Sequence, residues 1–389
     1  MKSLDFFIPT RVVFGAGRLN ELASMKLPGT KALICVTEDG LMEKLGIQSR
    51  VIELLKENKV EAVVFDQVTP NPTRKGVMAA RKLAQENKCD FFIGLGGGSS
   101  IDTAKATSIM MVNEGDLWDY ASLGTGGRKE VSGAFPVMTI STTCGTGTET
   151  DPYAVITNED TGEKLDFALD EIFPRISIID PELMKSLPRT LTLYQGFDAL
   201  FHAAECYVNN QGRNRLIDLF AIDAVEKVSQ NLEKVLANGD DIEARSHMAY
   251  AADILCGFTQ ALGPVTSHHI IAQALGGIYP NVAHGATLIL TAEHYYKKVQ
   301  ALAPKEFDEI GAVMGEKIDP ANPGGAFVTG LIKLMKSTGA YDVTMSSFGI
   351  TKEGLAKVGD IAVNVVGYDI DVYKVTEEDT HDILMKSFR

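Results

Sequence analysis

Asp198 and His202 stand four residues apart in FDALFHAAECY, a stretch that reads as helix. Four residues make about one helical turn, so the two side chains share a face and can grip one ion together. Further on, HHIIAQALGGIYPNVAHG at 268–285 adds His268, His269 and His284. A carboxylate combined with imidazoles is a donor set for a divalent transition ion such as Fe2+ or Zn2+. Such an ion can act as a Lewis acid on a bound oxygen. A lone Asp–His pair at this spacing arises often by chance and is then a satisfied structural pair. The weight lies in the clustering: all seven histidines fall beyond residue 200. His247, His294 and His381 have no supporting context and read as structural.

A second kind of chemistry is suggested upstream. GLGGGSSID at 94–102 falls where an apolar strand-like run ends and a helical pattern begins. Backbone N–H groups at such a junction can hold a diphosphate. Gly96, Gly97 and Gly98 let the backbone approach a ligand with no Cβ in the way. Ser99 and Ser100 can cap the helix or bond phosphate oxygens. Taken alone, a triple glycine is also consistent with a plain tight turn. TTCGTGTE at 142–149 makes that reading weaker, because it follows another strand-like run and adds Thr142, Thr143, Thr146 and Thr148. Two polar, glycine-bearing loops at the ends of parallel strands are what a dinucleotide crevice requires. Cys144, inside the second loop, is either beside the cofactor or buried and inert.

GAGRLN at 15–20 has only Gly15 and Gly17 and is set aside as a nucleotide fingerprint. Glu38, just after the strand-like run 31–36, could accept hydrogen bonds from an adenosine ribose and repel a 2′-phosphate. That favours NAD over NADP. A solvated loop acid is the alternative.

The elements that must position these residues follow from periodicity. KALICV (31–36), EAVVF (61–65), DFFIGL (90–95) and PVMTIS (136–141) read as strands, with helical spacing over 41–57, 73–87 and 99–112. Strands alternating with helices imply a parallel sheet covered on both faces. YAVIT (153–157) and RISIID (175–180) read as further strands joined by a polar turn, NEDTGEK. After Pro181 the pattern is helical: 191–208, 214–236, 241–260, 265–278, 284–299, 305–315, 323–338, 351–358 and 376–387. Two domains are therefore expected, an α/β domain over 1–180 and an all-helical domain over 181–389. The donor cluster falls in the second domain and both glycine loops in the first.

Composition narrows the function further. A net charge of −14 over 389 residues argues against a nucleic-acid partner. The sequence has no run of about 18 apolar residues, so no membrane span is expected. The N-terminal stretch lacks an apolar signal core, and a cytoplasmic location is the default. Cys35, Cys89, Cys144, Cys206 and Cys256 are too scattered for a disulfide framework or a CxxC zinc site and read as free thiols.

In order along the chain, PNPT at 70–73, GGGSSID at 96–102, TTCGTGTE at 142–149, DALFHAAE at 198–205 and AHG at 283–285 resemble the iron-containing (group III) alcohol dehydrogenases. The resemblance covers nearly the whole sequence. It implies a dehydroquinate synthase-like fold, with an α/β Rossmann-like N-terminal domain and an all-α C-terminal domain. The activity it implies is reversible hydride transfer between NAD, or NADP, and a short primary alcohol or diol and its aldehyde. Its ligand set maps onto Asp198, His202, His269 and His284, for Fe2+ first and Zn2+ second. His269 is preferred over His268 by its place six residues before Leu275. The phosphate-binding residues map onto Gly97, Gly98, Ser99, Thr142, Thr143 and Thr146, with Asp102 and Lys164 as further cofactor contacts. The expected partners are a small alcohol or aldehyde and identical chains, as a dimer or larger.

The sequence departs from the family at Gln273, where many relatives carry histidine, at Cys144 and Thr148, and at Glu38, where Asp is common. An amide donates and accepts hydrogen bonds but does not titrate, so Gln273 is expected to orient substrate rather than act as an acid. A cyclase on the same scaffold would need a basic cluster for a phosphorylated substrate, and no run of Lys or Arg surrounds the histidines. A non-catalytic nucleotide sensor would bind cofactor without turnover.

Overall fold

The computed structural model describes residues 6–389. The chain divides into two compact units, Phe7–Leu187 and Pro188–Arg389. All strands among the described residues lie in the first unit.

The first unit is built on a six-stranded, all-parallel sheet: β1 (Arg11–Phe14), β2 (Lys31–Thr37), β3 (Glu61–Val68), β4 (Phe91–Gly96), β5 (Val137–Ser141) and, later in the chain, β8 (Ile176–Ile179). The order across the sheet is β1-β8-β5-β4-β2-β3. Between β5 and β8 the chain forms a separate antiparallel hairpin, β6 (Tyr153–Asn158) and β7 (Glu163–Ala168). The helices of this unit are α1 (Leu41–Lys44), α2 (Ile47–Glu57), α3 (Arg74–Asn87) and α4 (Gly98–Met110).

Side chains alternate across a strand, and here both faces are buried. Ala32, Ile34 and Val36 of β2 join Phe91, Ile93 and Leu95 of β4 and Met138 and Ile140 of β5 in one core. Leu33 and Cys35 join Phe92 and Val137 in the other. Gly94 is required by the closeness of α4 to the sheet: a Cβ there would lie 2.5 Å from Ile101 Cα.

Three details differ from the sequence expectation. RVVF at 11–14 forms the edge strand β1, paired in parallel with β8. The helix expected over 41–57 is broken at Gly46, whose φ of +71° ends one helix and starts the next. YAVIT does not join the parallel sheet. It pairs with β7, whose Glu163 and Lys164 had read as part of a turn. In the GAG segment the Gly17 and Leu19 N–H groups donate to the Asp180 carboxylate, 3.0 Å each.

The second unit is helical: α5 (Arg189–Asn210), α6 (Arg215–Ala237), α7 (Ile242–Ala249), α8 (Gly257–Leu262), α9 (Ser267–Ile278), α10 (His284–Val299), α11 (Pro304–Val313), α12 (Gly325–Thr338), α13 (Lys352–Asp360) and α14 (Glu377–Ser387). A π-helical stretch, Tyr250–Cys256, joins α7 to α8, so the pattern read as one helix is continuous but locally widened. No helix among the described residues is long and apolar enough to cross a membrane.

Candidate metal centre and dinucleotide loops

In the helical unit, α5 presents Asp198 and His202 on one face, and Glu205 follows on the same face. Asp198, His202 and His269 are almost fully buried. His269 comes from the first turn of α9, and His284 is the first residue of α10. Three imidazoles converge on one carboxylate oxygen. Asp198 Oδ1 lies 3.4 Å from His202 Nδ1, 3.5 Å from His269 Nε2 and 3.7 Å from His284 Nε2. Donor atoms of Asp198, His269 and His284 all fall within 4.8 Å of one another.

The close approach of α10 depends on glycine. A Cβ at Gly285 would lie 2.1 Å from Tyr194 O, on the turn of α5 that precedes Asp198. Asp198 Oδ1 and His269 Nε2 are buried without a hydrogen-bond partner. Buried polar atoms are ordinarily satisfied. A buried carboxylate oxygen ringed by imidazole nitrogens, with its own hydrogen bonds unmade, fits a cation with O and N ligands.

His268 has a different role from its neighbour. Its Nδ1 pairs with Glu205 Oε1 at 3.0 Å and its Nε2 with Leu288 O at 3.1 Å, so both ring nitrogens are engaged away from Asp198. Glu205 closes the motif DALFHAAE, and the sequence alone assigns it no role. Its Oε2 accepts from Thr266 N and Oγ1, and its Oε1 accepts from Tyr296 OH at 3.1 Å. Glu205 Oε1 is also 2.9 Å from His269 Nδ1, at ion-pair distance. The available signal was spacing: Asp198, His202 and Glu205 follow one helical stripe.

The electrostatics favour a cation. Burial raises the Asp198 carboxyl, but His202, His284 and His269 more than offset it and hold it below the usual range. Burial lowers His269, yet the charges of Glu205 and then Asp198 lift it to about 9. Two buried carboxylates thus put a strongly negative field on the imidazoles.

Gln273 lies one turn beyond His269 on α9 and is half-buried.

In the α/β unit, Gly97 caps α4 without any side-chain cap, leaving the helix N-terminus open to an anion. Ser100 Oγ is buried there without a hydrogen-bond partner. The two glycine loops lie against each other. Cβ atoms at Gly97 and Gly98 would each come to 2.9 Å from a side-chain atom, of Thr143 and Thr146 respectively. Thr142 N donates to Gly96 O at 3.0 Å. Ser99, Thr143 and Thr146 are half-buried at this junction, and Thr142 is buried. The cradle is one that a side chain at 97 or 98 would fill, so it fits a diphosphate.

Other expected cofactor residues are placed less simply. Asp102 accepts from Thr148 Oγ1 at 2.8 Å and from Val155 N at 3.1 Å, so both its oxygens are engaged within the protein. Lys164, on β7, donates to Asn71 Oδ1 at 2.8 Å, which ties the hairpin to the PNPT turn. Asn71 has the positive φ of that turn, and Thr73 caps α3. Glu38 is exposed after β2, its N–H donating to Val68 O. Cys144 is fully buried.

A parallel α/β unit with open glycine loops and a helical unit with a buried Asp–His cluster define a two-domain, metal-dependent oxidoreductase. Residues 9–181 match the iron-containing alcohol dehydrogenase family, and residues 192–388 match the C-terminal region of the Fe-containing alcohol dehydrogenase family. The chain belongs to the iron-containing alcohol dehydrogenases. It is 33% identical to the NAD-dependent methanol dehydrogenase of Bacillus methanolicus over 91% of this chain and 89% of that one. It is 32% identical to the 1,3-propanediol dehydrogenase of Citrobacter freundii over 82% and 81%. The crystal structure of the NADH-dependent butanol dehydrogenase A of Thermotoga maritima matches with a TM-score of 0.88 at 28% identity, covering 100% of this chain and 99% of that one.

Proposed function

We propose that the chain catalyses reversible hydride transfer between NAD and a short primary alcohol or diol, with one divalent ion held by Asp198, His202, His269 and His284. Fe2+ is the ion the family favours, and Zn2+ suits the same donors. The observation that carries the reading is Asp198 Oδ1, buried among three imidazole nitrogens with no hydrogen bond of its own. When bound, the ion supplies a Lewis acid that polarises the oxygen of the alcohol or aldehyde.

The chain's own residues do the rest. Glu205 fixes His268 and the start of α9, and so aims His269. The open N-terminus of α4 and the loop 142–149 hold the cofactor diphosphate through Gly97, Gly98, Ser99, Thr142, Thr143 and Thr146. Asp102 and Lys164 brace that surface. Glu38 takes the adenosine ribose and disfavours a 2′-phosphate. Gln273 orients a polar substrate group through its amide. Methanol, propanediol and butanol dehydrogenases among the relatives support a short alcohol as substrate. Five cysteines outside any disulfide suit a reducing, cytoplasmic setting.

The test is absorbance at the NADH band, with anaerobically purified protein and a panel of short aldehydes. NADH consumption that needs the divalent ion is expected. Nucleotide binding without turnover on any aldehyde or alcohol, with the ion present, overturns the reading in favour of a sensor.

A further inference from the structure

Lys105 is fully buried, two helical turns beyond Gly98 on α4. Gly98, Asp102 and Lys105 stand at i, i+4 and i+7 and therefore share one helical face. That face meets the segment 146–155. Gly98 packs on Thr146, and Asp102 accepts from Thr148 and Val155. Lys105 Nζ donates to Thr148 Oγ1 at 2.8 Å, Asp151 O at 2.9 Å, Asp151 Oδ1 at 3.0 Å and Tyr153 O at 2.8 Å. Four acceptors surround an ammonium that has three N–H bonds, so the group is saturated.

Thr148 is the hinge of this arrangement. Its hydroxyl accepts from Lys105 and donates to Asp102, joining the two charges through one oxygen. At the other side of the loop, Ser141 Oγ donates to Glu149 Oε1 at 2.6 Å, and Ser177 Oγ donates to Glu149 O. The loop 142–149 is thus pinned at its base by serines and pulled onto α4 by Lys105.

Removing an ammonium wholly from water is costly unless it is paired and hydrogen-bonded, and an apolar side chain would fill this core more simply. What the buried pair supplies is a single geometry. We propose that Lys105, acting through Thr148 and Asp151, is a positioning residue that fixes the spacing of the two glycine loops and thereby sets affinity for the dinucleotide's diphosphate. Lys105 has no solvent exposure, so it acts through the loops rather than by touching phosphate. The inference rests on the proposed use of these loops for NAD.

The test uses the metal-loaded full chain and two variants. Thr148→Val keeps the shape and the Lys105–Asp151 pair but removes the bridging oxygen. Lys105→Met combined with Asp151→Asn removes the Lys105–Asp151 ion pair as a unit and leaves Asp102 held by Thr148 Oγ1 and Val155 N alone. NADH affinity is read by fluorescence, adenosine affinity by calorimetry, and kcat and KM for NADH separately. Both variants are expected to weaken NADH by about tenfold or more, as when donors leave good hydrogen-bond geometry. Adenosine, which lacks the phosphates, is expected to bind as in wild type, and kcat is expected to fall less than the affinity. Wild-type NADH affinity in a folded variant, or an equal loss for adenosine and NADH, overturns the proposal. Should the double variant fail to fold, Thr148→Val decides by the same criteria. If the wild-type chain itself binds no NADH, it is the proposed function that fails.

Discussion

Glu205 Oε2 accepts two hydrogen bonds from one residue, from the backbone N–H and the hydroxyl of Thr266, each 2.8 Å long. Thr266 is the N-cap of α9, so a carboxylate on α5 sets where α9 begins and hence where His269 points. Groups behind a metal-binding histidine commonly tune affinity by about 10–100-fold. Glu205→Gln is expected to weaken ion binding within that range while leaving the helical content unchanged. Competition with a chelator of known affinity measures it. Unaltered ion affinity in the variant would show that α9 needs no such anchor.

Gly285 is the second positional requirement. A methyl group there meets Tyr194 O at 2.1 Å, and a backbone atom cannot swing away as a side chain can. Gly285→Ala is expected to lose about 1–3 kcal/mol of stability, the usual cost of overpacking. It should also retain less metal, because His284 is the preceding residue. Denaturant unfolding and elemental analysis of the same preparation check both effects.

Asp371 fastens the same helix start from another direction. Its carboxylate accepts from Ser267 N at 2.7 Å and Ser267 Oγ at 2.5 Å. Burial lifts its carboxyl from 3.8 to about 7, and the Ser267 hydrogen bonds only partly oppose this; the charge of Glu205 pushes it further up. The neighbouring hydroxyls of Tyr295 and Tyr373 are themselves raised well out of the neutral range. A folded state that holds this proton more tightly than the unfolded chain loses stability as pH rises from about 4 through about 7. Asp371→Asn should flatten that part of the stability profile. Parallel profiles for wild type and variant, from denaturant titrations at several pH values, would contradict the assignment.

The proposed preference for NAD rests on Glu38. Repulsion of a 2′-phosphate by this exposed carboxylate at contact distance is worth about 1 kcal/mol, or roughly fivefold in kcat/KM. Glu38→Gln is therefore expected to narrow the NAD-to-NADP preference by at least that factor. An unchanged ratio would place Glu38 in solvent, away from the ribose.

The proposed role of Gln273 is substrate orientation rather than acid chemistry. Gln273→Ala is expected to raise KM for diols more than for plain alkyl alcohols, because only the former lose a hydrogen-bonding partner. Equal KM values across both substrate types would make Gln273 a spacer.

The sequence was most legible where one physical signal dominated. The long amphipathic runs of the second half gave α5, α6, α9 and α10 to within a few residues. The strands β2, β4 and β5 were plain because they are buried on both faces and so almost continuously apolar. β7 was not, because its Glu163 and Lys164 look like turn residues; Glu163 is instead satisfied by Thr125 N and Lys164 by Asn71. β1 was hidden by its brevity at the sheet edge. Asp198 and His202 were visible as a helical pair, but Glu205 and Lys105 were not assigned roles. A buried charge is recognised by its partners, and those partners, Thr266 and Asp151, are distant in sequence. His268 and His269 are adjacent, and composition cannot say which ring faces Asp198. That depends on the Glu205 and Leu288 contacts that hold His268.

The central claim is that Asp198, His202, His269 and His284 hold one ion that the reaction needs. The most direct measurement is elemental analysis of anaerobically purified wild type and His202→Ala, with circular dichroism on the same samples. The account predicts about one divalent ion per chain in wild type and a large loss in the folded variant. A folded His202→Ala chain with wild-type metal content would contradict it.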